Sequence, residues 1–437
     1  MTSNVRILVI TSLALFAMFF GAGNLIVPVM IGAQAGNLAW SAAIGFVSTG
    51  VLLPVLSMVA MSTKRSDEKR LADRLGVRMG LVVTTLIFLF TGMVYAIPRV
   101  GAVSYEMAFG PYTHSFSDLA SRLMMLCYSA VFFTLAYIIA RRPNMIIRNV
   151  GTWLTPALLV LLLVVIIGSW MMPPVNTVPN EQYQAAPVVT GFIHGYFTMD
   201  ALAALMFGGV VISTLSAAGW NKRQVHRGTA LAGMLSGVFL VVVYVGLVRV
   251  GQVGVGDNGA ALTANVTRDL FGPIGQTLFG MIVVLACFTT ALGLLGASVE
   301  YFHDLIPAIS QKTWLGIATG VSFALTNLGL VKILAIVAPV NQLLYPIVMV
   351  LVVVSLIDLA TPGRLFFSYR IPAWATALLA LPEALNSTGL SVFSALRYGL
   401  DFFPLGYLQM AWVVPAAVAL VIGLGIDISR GRLTKGR

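Results

Sequence analysis

Residues 15–28 read LFAMFFGAGNLIVP and place the tetrad Gly21-Ala22-Gly23-Asn24 inside the first long apolar run of the chain. This run covers residues 6–34, although a helix needs only about 20 apolar residues to cross a bilayer. Glycine permits non-helical backbone, and hydrocarbon tolerates unpaired backbone N–H and C=O groups only where they line a cavity or meet a ligand. The tetrad therefore predicts an interrupted membrane helix, although small residues in membrane helices also mark close helix packing.

The composition around this stretch identifies the class of protein. Of the 437 residues, 59% are hydrophobic and only 9% are charged. Soluble globular proteins carry about 25% charged residues, so a water-soluble enzyme or nucleic-acid-binding protein is excluded. The apolar content is also too high for a disordered chain. The sequence therefore predicts an all-α polytopic membrane protein that forms a single membrane domain over residues 1–437.

Apolar runs bounded by charged residues, proline or glycine predict twelve transmembrane helices. The predicted spans cover residues 6–34, 38–62, 79–106, 119–140, 150–172, 188–214, 228–251, 274–302, 313–330, 332–358, 371–390 and 404–427. With the N-terminus inside the cell, most of the 26 Lys and Arg residues fall in inside segments. Cytoplasmic loops are enriched in these residues, so both termini are predicted to be cytoplasmic. The net charge of +11 then requires no nucleic-acid partner.

The sixth apolar run is interrupted like the first. Gly191, Gly195, Thr198 and Asp200 lie within ten residues of one another, about 176 residues after the first interruption. Interrupted helices at matching positions in two halves of a chain are typical of a transporter binding site.

The order of the spans predicts an internal repeat. Because five spans are an odd number, a second five-span copy must enter the membrane from the opposite side, which gives an inverted repeat. The first copy is predicted over residues 5–172 and the second over residues 188–360. Residues 361–437 then hold helices 11 and 12 and a basic cytoplasmic tail.

Three groups of residues could bind ligands. The N–H groups that begin the second half of span one would suit a carboxylate, and the carbonyls that end its first half would suit a cation. In span six, Asp200 is costly in a membrane by about 2.5–3.5 kcal/mol, which makes it a candidate ligand-binding residue. Thr198 or Asp200 could also cap the second half-helix of span six, and the two roles are compatible. Phe197 could form a wall against an apolar substrate, or belong to the core.

Span eight contains the third group, the hydroxyls of Thr289 and Thr290. Together with a carbonyl one turn earlier they could bind a sodium ion through oxygen, although threonine in a membrane helix usually bonds to its own i−4 carbonyl. Elsewhere, Arg99 and Glu106 could pair with each other or with the outer loop. Glu300 could extend to the membrane surface or contact a loop.

Four stretches together carry a resemblance to a known family. They are residues 15–28, Pro98-Arg99 with Ser104-Tyr105-Glu106, Gly195-Tyr196-Phe197-Thr198-Met199-Asp200, and Asn327-Leu328-Gly329-Leu330. With them the chain resembles bacterial branched-chain amino acid:cation symporters over nearly its whole length. The resemblance implies a LeuT-type five-plus-five inverted repeat with discontinuous helices 1 and 6, plus helices 11 and 12. It also implies import of leucine, isoleucine and valine with Na⁺ across a bacterial plasma (inner) membrane.

A wider resemblance to sodium-coupled amino acid transporters of that fold implies roles for individual residues. Gly21, Gly23 and Asn24 match a G-x-G-N break, so the Ala22 and Gly23 amides would hold the substrate carboxylate. An A-x-x-T-[ST] run would supply Na⁺ ligands together with two carbonyls of span one; the set is Ala17, Phe20, Ala286, Thr289 and Thr290. Phe197-Thr198-Met199-Asp200 is similar to F-T-x-S with Asp in place of Ser, which leaves the role of Asp200 open.

Two alternatives stay open at this point. The coupling ion could be H⁺, with Asp200 or Glu300 as the proton carrier, or the chain could be an uncoupled uniporter or channel. Tyr95 in span three and Asn341 in span ten are further candidates for the pocket. The predicted partners are the branched-chain amino acid substrates and the lipid bilayer. No organic cofactor and no obligate protein partner are predicted.

Overall fold

The computed structural model describes residues 3–62, 71–113, 117–141, 143–175, 177–328, 330–361, 365–388, 391–393 and 399–432. Every regular element in these residues is a helix, as the sequence predicts. Part of the charge pattern used to orient the chain, including the basic segment 63–70 and residues 433–437 of the tail, lies outside the described residues.

The first half of the chain contains ten α-helices and two π-helical segments in its described residues. The α-helices are α1 Ser3–Phe19, α2 Ala22–Ala35, α3 Ala39–Gly50, α4 Leu52–Met61, α5 Val77–Leu86, α6 Ile97–Ala108, α7 Gly110–Thr113, α8 Asp118–Ala140, α9 Pro143–Asn149 and α10 Thr155–Trp170. The π-helical segments are Ile87–Ala96, which joins α5 to α6, and Val150–Leu154, which joins α9 to α10.

Ten further α-helices follow in the described residues of the second half. They are α11 Glu181–Ala185, α12 Pro187–Tyr196, α13 Asp200–Ala217, α14 Lys222–Val253, α15 Gly259–Phe271, α16 Pro273–Leu305, α17 Gln311–Thr326, α18 Leu330–Leu359, α19 Phe367–Asn386 and α20 Val413–Ser429. The helix α15 lies between predicted spans seven and eight and was not anticipated from the apolar runs.

Eight helical stretches in the described residues are long and apolar enough to cross a membrane. Predicted spans one and two contribute one continuous stretch, Gly23–Met61, while α1 and α20 are shorter apolar helices. The predicted start of the last span at residue 404 is wrong, because the helix begins only at Val413. Turns precede it, with Leu405 and Gln409 in the left-handed region. The chain is a multi-pass membrane protein.

Glycines bring the two interrupted spans into backbone contact with their neighbours. A methyl group built on Gly191 of α12 would overlap the Ala42 carbonyl of α3, and one on Gly45 of α3 would overlap the Val188 carbonyl of α12. The Thr49 hydroxyl also donates to the carbonyl of Phe192 across this crossing (2.6 Å). The same reciprocal arrangement joins α2 to α14, through Gly32 against Val248 and Gly251 against Val29.

A buried carboxylate joins the last helix to α19. Asp427 of α20 accepts hydrogen bonds from the backbone N–H groups of Phe366 (3.0 Å), Phe367 (3.3 Å) and Ser368 (2.9 Å), and from the Ser368 hydroxyl (2.7 Å). The first N–H groups of a helix have no partner within it. Asp427 therefore caps the N-terminus of α19 from a different helix.

Candidate substrate and cation site

Span one is interrupted where the glycine tetrad predicts it. The helix α1 ends at Phe19 and α2 begins at Ala22, and Gly21 between them is extended, with φ −92° and ψ −176°. No side chain caps the start of α2. The N–H groups of its first turn are therefore available to an anion, which the positive end of the helix dipole also favours.

Span six is interrupted at the second predicted position, between α12 and α13. Met199 holds a left-handed conformation with φ 58°, which costs a non-glycine residue about 1–3 kcal/mol and is concentrated at functional sites. The Thr198 hydroxyl donates to the Gly195 carbonyl at 2.8 Å. Thr198 thus satisfies an end carbonyl of α12, whereas the start of α13, which the sequence predicts Thr198 or Asp200 to cap, has Met199 at its N-cap and no side-chain cap.

A single amide side chain links the two interruptions. Asn24 is buried, and its Nδ2 group donates to the Phe19 carbonyl (2.7 Å) and to Oδ2 of Asp200 (2.8 Å). Both hydrogens of the amide are therefore used, one at the end of α1 and one at the start of α13. Asp200 accepts the second of these bonds. It also lies at the edge of a cavity.

We call this cavity the central cavity. Its volume is about 210 Å³. It is lined by six of the seven predicted substrate residues, Gly21, Gly23, Asn24, Phe197, Thr198 and Asp200; the seventh, Ala22, is the first residue of α2. Tyr95 and Asn341 also line it, and apolar surface comes from Met18, Val27, Val100, Val103, Phe207 and Leu294. Most of the lining is thus apolar, with a few polar groups at the two interruptions.

Arg99 is a polar residue of this cavity whose position the sequence did not predict. Instead of pairing with Glu106 or the outer loop, it donates to the Tyr95 hydroxyl (3.1 Å) and lines the central cavity. Its Nη2 atom lies 3.2 Å from the position that a Cβ atom would take on Gly23. The guanidinium group therefore lies beside the uncapped start of α2.

The predicted cation residues of spans one and eight come together beside the cavity. The Thr289 hydroxyl oxygen lies 2.9 Å from the Ala17 carbonyl and 3.0 Å from the Ala286 carbonyl, so its single hydrogen can be donated to either, and the Thr290 hydroxyl lies 3.4 Å from the Ala17 carbonyl. All four residues are buried. Phe20 is also buried, but no hydrogen bond links it to either threonine among the described residues. Four oxygens are therefore linked by neighbouring contacts of 2.9–3.4 Å, and hard cations prefer oxygen ligands.

A second cavity of about 510 Å³ follows the central cavity along spans three and eight. On span eight, Leu294 lines the central cavity, whereas Ala297 and Glu300 line the second cavity. Glu300 accepts a hydrogen bond from the Ser213 hydroxyl of span six (3.3 Å). About one helical turn separates the two cavities.

The sequence is similar to those of known proteins over nearly its full length. The sequence profile of a family described as branched-chain amino acid transport protein matches residues 4–430. The chain belongs to this family. It is 38% identical to the branched-chain amino acid permease BrnQ of Corynebacterium glutamicum, covering 96% of this chain and 94% of that one. It is 34% identical to the permease BraB of Bacillus subtilis, with 97% and 96% covered.

A solved structure supports the fold of this branched-chain amino acid transport family member. It is a nucleobase-cation-symport-1 family transporter in a closed conformation with bromovinylhydantoin bound, at 14% identity and a TM-score of 0.59. The similarity covers 96% of this chain and 91% of that chain. The predicted family is confirmed, and the chain is a membrane transporter rather than an enzyme.

Proposed function

We propose that this chain imports leucine, isoleucine and valine together with Na⁺ by alternating access. The observation that carries the proposal is the meeting of the Thr289 and Thr290 hydroxyls with the Ala17 and Ala286 carbonyls. The names of the relatives support the substrate. The proposal that Na⁺ is the coupling ion rests on this cluster of oxygens.

The cation would bind between span one and span eight. Ala17 and Phe20 would contribute carbonyls from the end of α1, and Ala286, Thr289 and Thr290 would contribute one carbonyl and two hydroxyls. Because Gly21 lies against Thr290, with 3.3 Å from the position of a Cβ atom to the hydroxyl oxygen, an ion here would touch the interruption that faces the substrate. Binding of the ion would thereby favour one geometry of the cavity.

The amino acid would bind in the central cavity. Its carboxylate would meet the Ala22 and Gly23 amides, and its branched side chain would meet apolar surface that includes Phe197. Asp200, linked to Asn24, would lie near the polar end of the substrate. An apolar pocket separates ligands that differ by one methylene by only about 10–200-fold, so we expect one site to serve all three amino acids.

Competition between substrates tests whether one site serves all three amino acids. Excess isoleucine or valine is expected to inhibit uptake of labelled leucine almost completely, whereas excess lysine should leave it unchanged because the pocket wall is apolar. Leucine uptake that persists at full rate in excess valine and isoleucine would contradict a shared pocket.

The two cavities would form the two halves of the transport path. We infer that residues 5–172 and 188–360 form an inverted repeat, with residues 361–437 adding helices 11 and 12. The N-terminus and the basic tail would be cytoplasmic in a bacterial plasma (inner) membrane. Movement of span six between spans three and eight would close one cavity and open the other.

Removal of the hydroxyls in span eight tests the cation site. The double variant Thr289→Ala with Thr290→Ala deletes two of the five proposed oxygen ligands. Hydrogen bonds to charged groups contribute about 1.5–3 kcal/mol each, so the Na⁺ concentration for half-maximal leucine uptake into proteoliposomes should rise at least tenfold. The control Thr229→Ala removes a buried hydroxyl that bonds only to Val225 of its own helix, and should keep the wild-type value. Unchanged Na⁺ dependence in the folded double variant would refute the site.

A proton-coupled symporter is the second candidate, because Asp200 lines the central cavity and Glu300 the second cavity. Accumulation of leucine in choline under an imposed pH gradient would favour it over Na⁺ coupling. A uniporter or channel would equilibrate leucine without concentrating it under either gradient.

A further inference from the structure

The central cavity holds one positive and one negative side chain that are not paired with each other. Arg99 and Asp200 both line it. In the described part of the chain, no salt bridge within 4.0 Å involves either residue. Arg99 bonds to the neutral Tyr95 hydroxyl (3.1 Å) and Asp200 to the neutral Asn24 amide (2.8 Å).

Arg99 and Asp200 are both only partly buried in the cavity. When a ligand fills the cavity and displaces water, each charge needs a partner on that ligand, because desolvation of a charge costs several kcal/mol. Two opposite charges held apart in one cavity are complementary to a molecule that carries both charges. We propose that Arg99 binds the α-carboxylate and Asp200 the α-ammonium group of a zwitterionic amino acid, so that the site selects zwitterions. This inference rests on the proposed function and assigns its polar contacts.

The position of Arg99 suits a carboxylate. Its Nη2 atom lies beside Gly23 in the first turn of α2, where no side chain caps the helix. The guanidinium group and the backbone amides can therefore donate to the same anion. Guanidinium–carboxylate pairs often form two parallel hydrogen bonds and are among the strong ones. The Tyr95 hydroxyl and the contact of the Arg99 guanidinium with the Tyr95 ring, 5.5 Å from its centroid, orient the side chain.

The position of Asp200 suits an ammonium group. One carboxylate oxygen accepts from Asn24, which also bonds to the Phe19 carbonyl and is thereby fixed. A carboxylate accepts several hydrogen bonds, so Asp200 can accept more from a ligand. The apolar wall formed by Val100, Val103 and Phe207 would be left for the side chain of the substrate.

This assignment predicts discrimination between three molecules that share a branched side chain. Leucine carries both charges, 3-methylbutylamine lacks the carboxylate, and 4-methyl-2-oxopentanoate lacks the ammonium group. A site built to bond a polar group strongly rejects an analogue without it, because the buried partner is left unpaired. Wild-type protein should bind leucine at least a hundredfold more tightly than either analogue.

The test measures the dissociation constants of the three ligands from the ligand-dependent rise in Tm of purified protein in saturating Na⁺. In Arg99→Gln, leucine should bind about a hundredfold more weakly, while 3-methylbutylamine binds at least as tightly as in wild type because no guanidinium group is left unpaired. In Asp200→Asn, leucine should also bind more weakly, while 4-methyl-2-oxopentanoate binds at least as tightly as before. The conservative Arg99→Lys keeps the positive charge but cannot form the two parallel hydrogen bonds, so it should weaken the binding of leucine about tenfold. This variant provides the test if Arg99→Gln does not fold.

The exposed Arg122 supplies the control, since Arg122→Gln should change none of the constants. Suppose that wild-type protein binds leucine and that the ratio of leucine affinity to 3-methylbutylamine affinity is unchanged in both Arg99→Gln and Arg99→Lys. This result would overturn the assignment and leave the proposed function standing. Wild-type protein that binds none of the three ligands would overturn the proposed function and this inference with it.

Discussion

Gly191→Val is expected to prevent most of the protein from folding. A Cβ atom on Gly191 would overlap the Ala42 carbonyl, which belongs to the backbone of α3 and cannot rotate away. Overpacking a well-packed interior costs about 1–3 kcal/mol and occasionally more, and a backbone obstacle belongs at the upper end. The reciprocal contact of Gly45 would be lost in the same movement. Size-exclusion chromatography of the variant in detergent should show aggregated protein, and any folded fraction should have a lower Tm.

The same change at Gly316 of α17 provides the control. This glycine is exposed and a Cβ atom there meets nothing within 4 Å, so Gly316→Val should elute and unfold like the wild type. A Gly191→Val protein with wild-type yield and Tm would mean that α3 and α12 do not cross in backbone contact.

Asn24→Asp is expected to abolish transport. The change places a second carboxylate where the Asn24 amide now lies 2.8 Å from Oδ2 of Asp200. Two like charges about 4 Å apart repel by about 4 kcal/mol at an effective dielectric constant of about 20, which is roughly a thousandfold in an equilibrium constant. The bond that joins α1 to α13 would also be lost. The initial rate of leucine uptake into proteoliposomes at neutral pH measures the effect.

Asn258 allows a matched control. It caps the exposed start of α15, where its side chain accepts from the Ala261 N–H at 2.9 Å. Aspartate caps helices as well as asparagine does, so Asn258→Asp should transport leucine at the wild-type rate. Full activity in Asn24→Asp would show that the bond between the two interruptions is not needed during the transport cycle.

The interruptions could be predicted from the sequence because their signals are local. Glycines and polar residues inside an apolar run, as at Gly21 and Asp200, are unfavourable in a continuous membrane helix wherever the rest of the chain lies. The pairing of Thr289 with Ala17 was reached differently, by resemblance, since no local pattern shows that two residues separated by 272 positions meet.

Arg99 shows why the rest could not be predicted. Its distance from the start of span three suggested a position at the outer end, near Glu106. The face that Arg99 presents depends on the ten π-helical residues Ile87–Ala96 before it. A π-helix bonds residues five apart rather than four, so the 3.6-residue period used to assign helix faces does not hold across this segment. Thr91 and Tyr95, which lie within it, line the same cavity.

The late start of α20 has a related cause. Residues 404–412 are apolar enough to extend the last span, and hydropathy alone includes them. The left-handed conformations of Leu405 and Gln409 instead produce turns, and Trp412 packs against Tyr196 at the end of α12 with 6.4 Å between ring centroids. Long-range contacts of this kind are invisible in a single sequence.

The cap that Asp427 places on α19 has a consequence for biosynthesis. The N–H groups of residues 366–368 emerge from the ribosome about sixty residues before the carboxylate that satisfies them. During that interval the start of α19 must find water or other temporary acceptors. A chain stalled just before residue 427 would therefore hold its eleventh predicted span without the cap that joins it to α20.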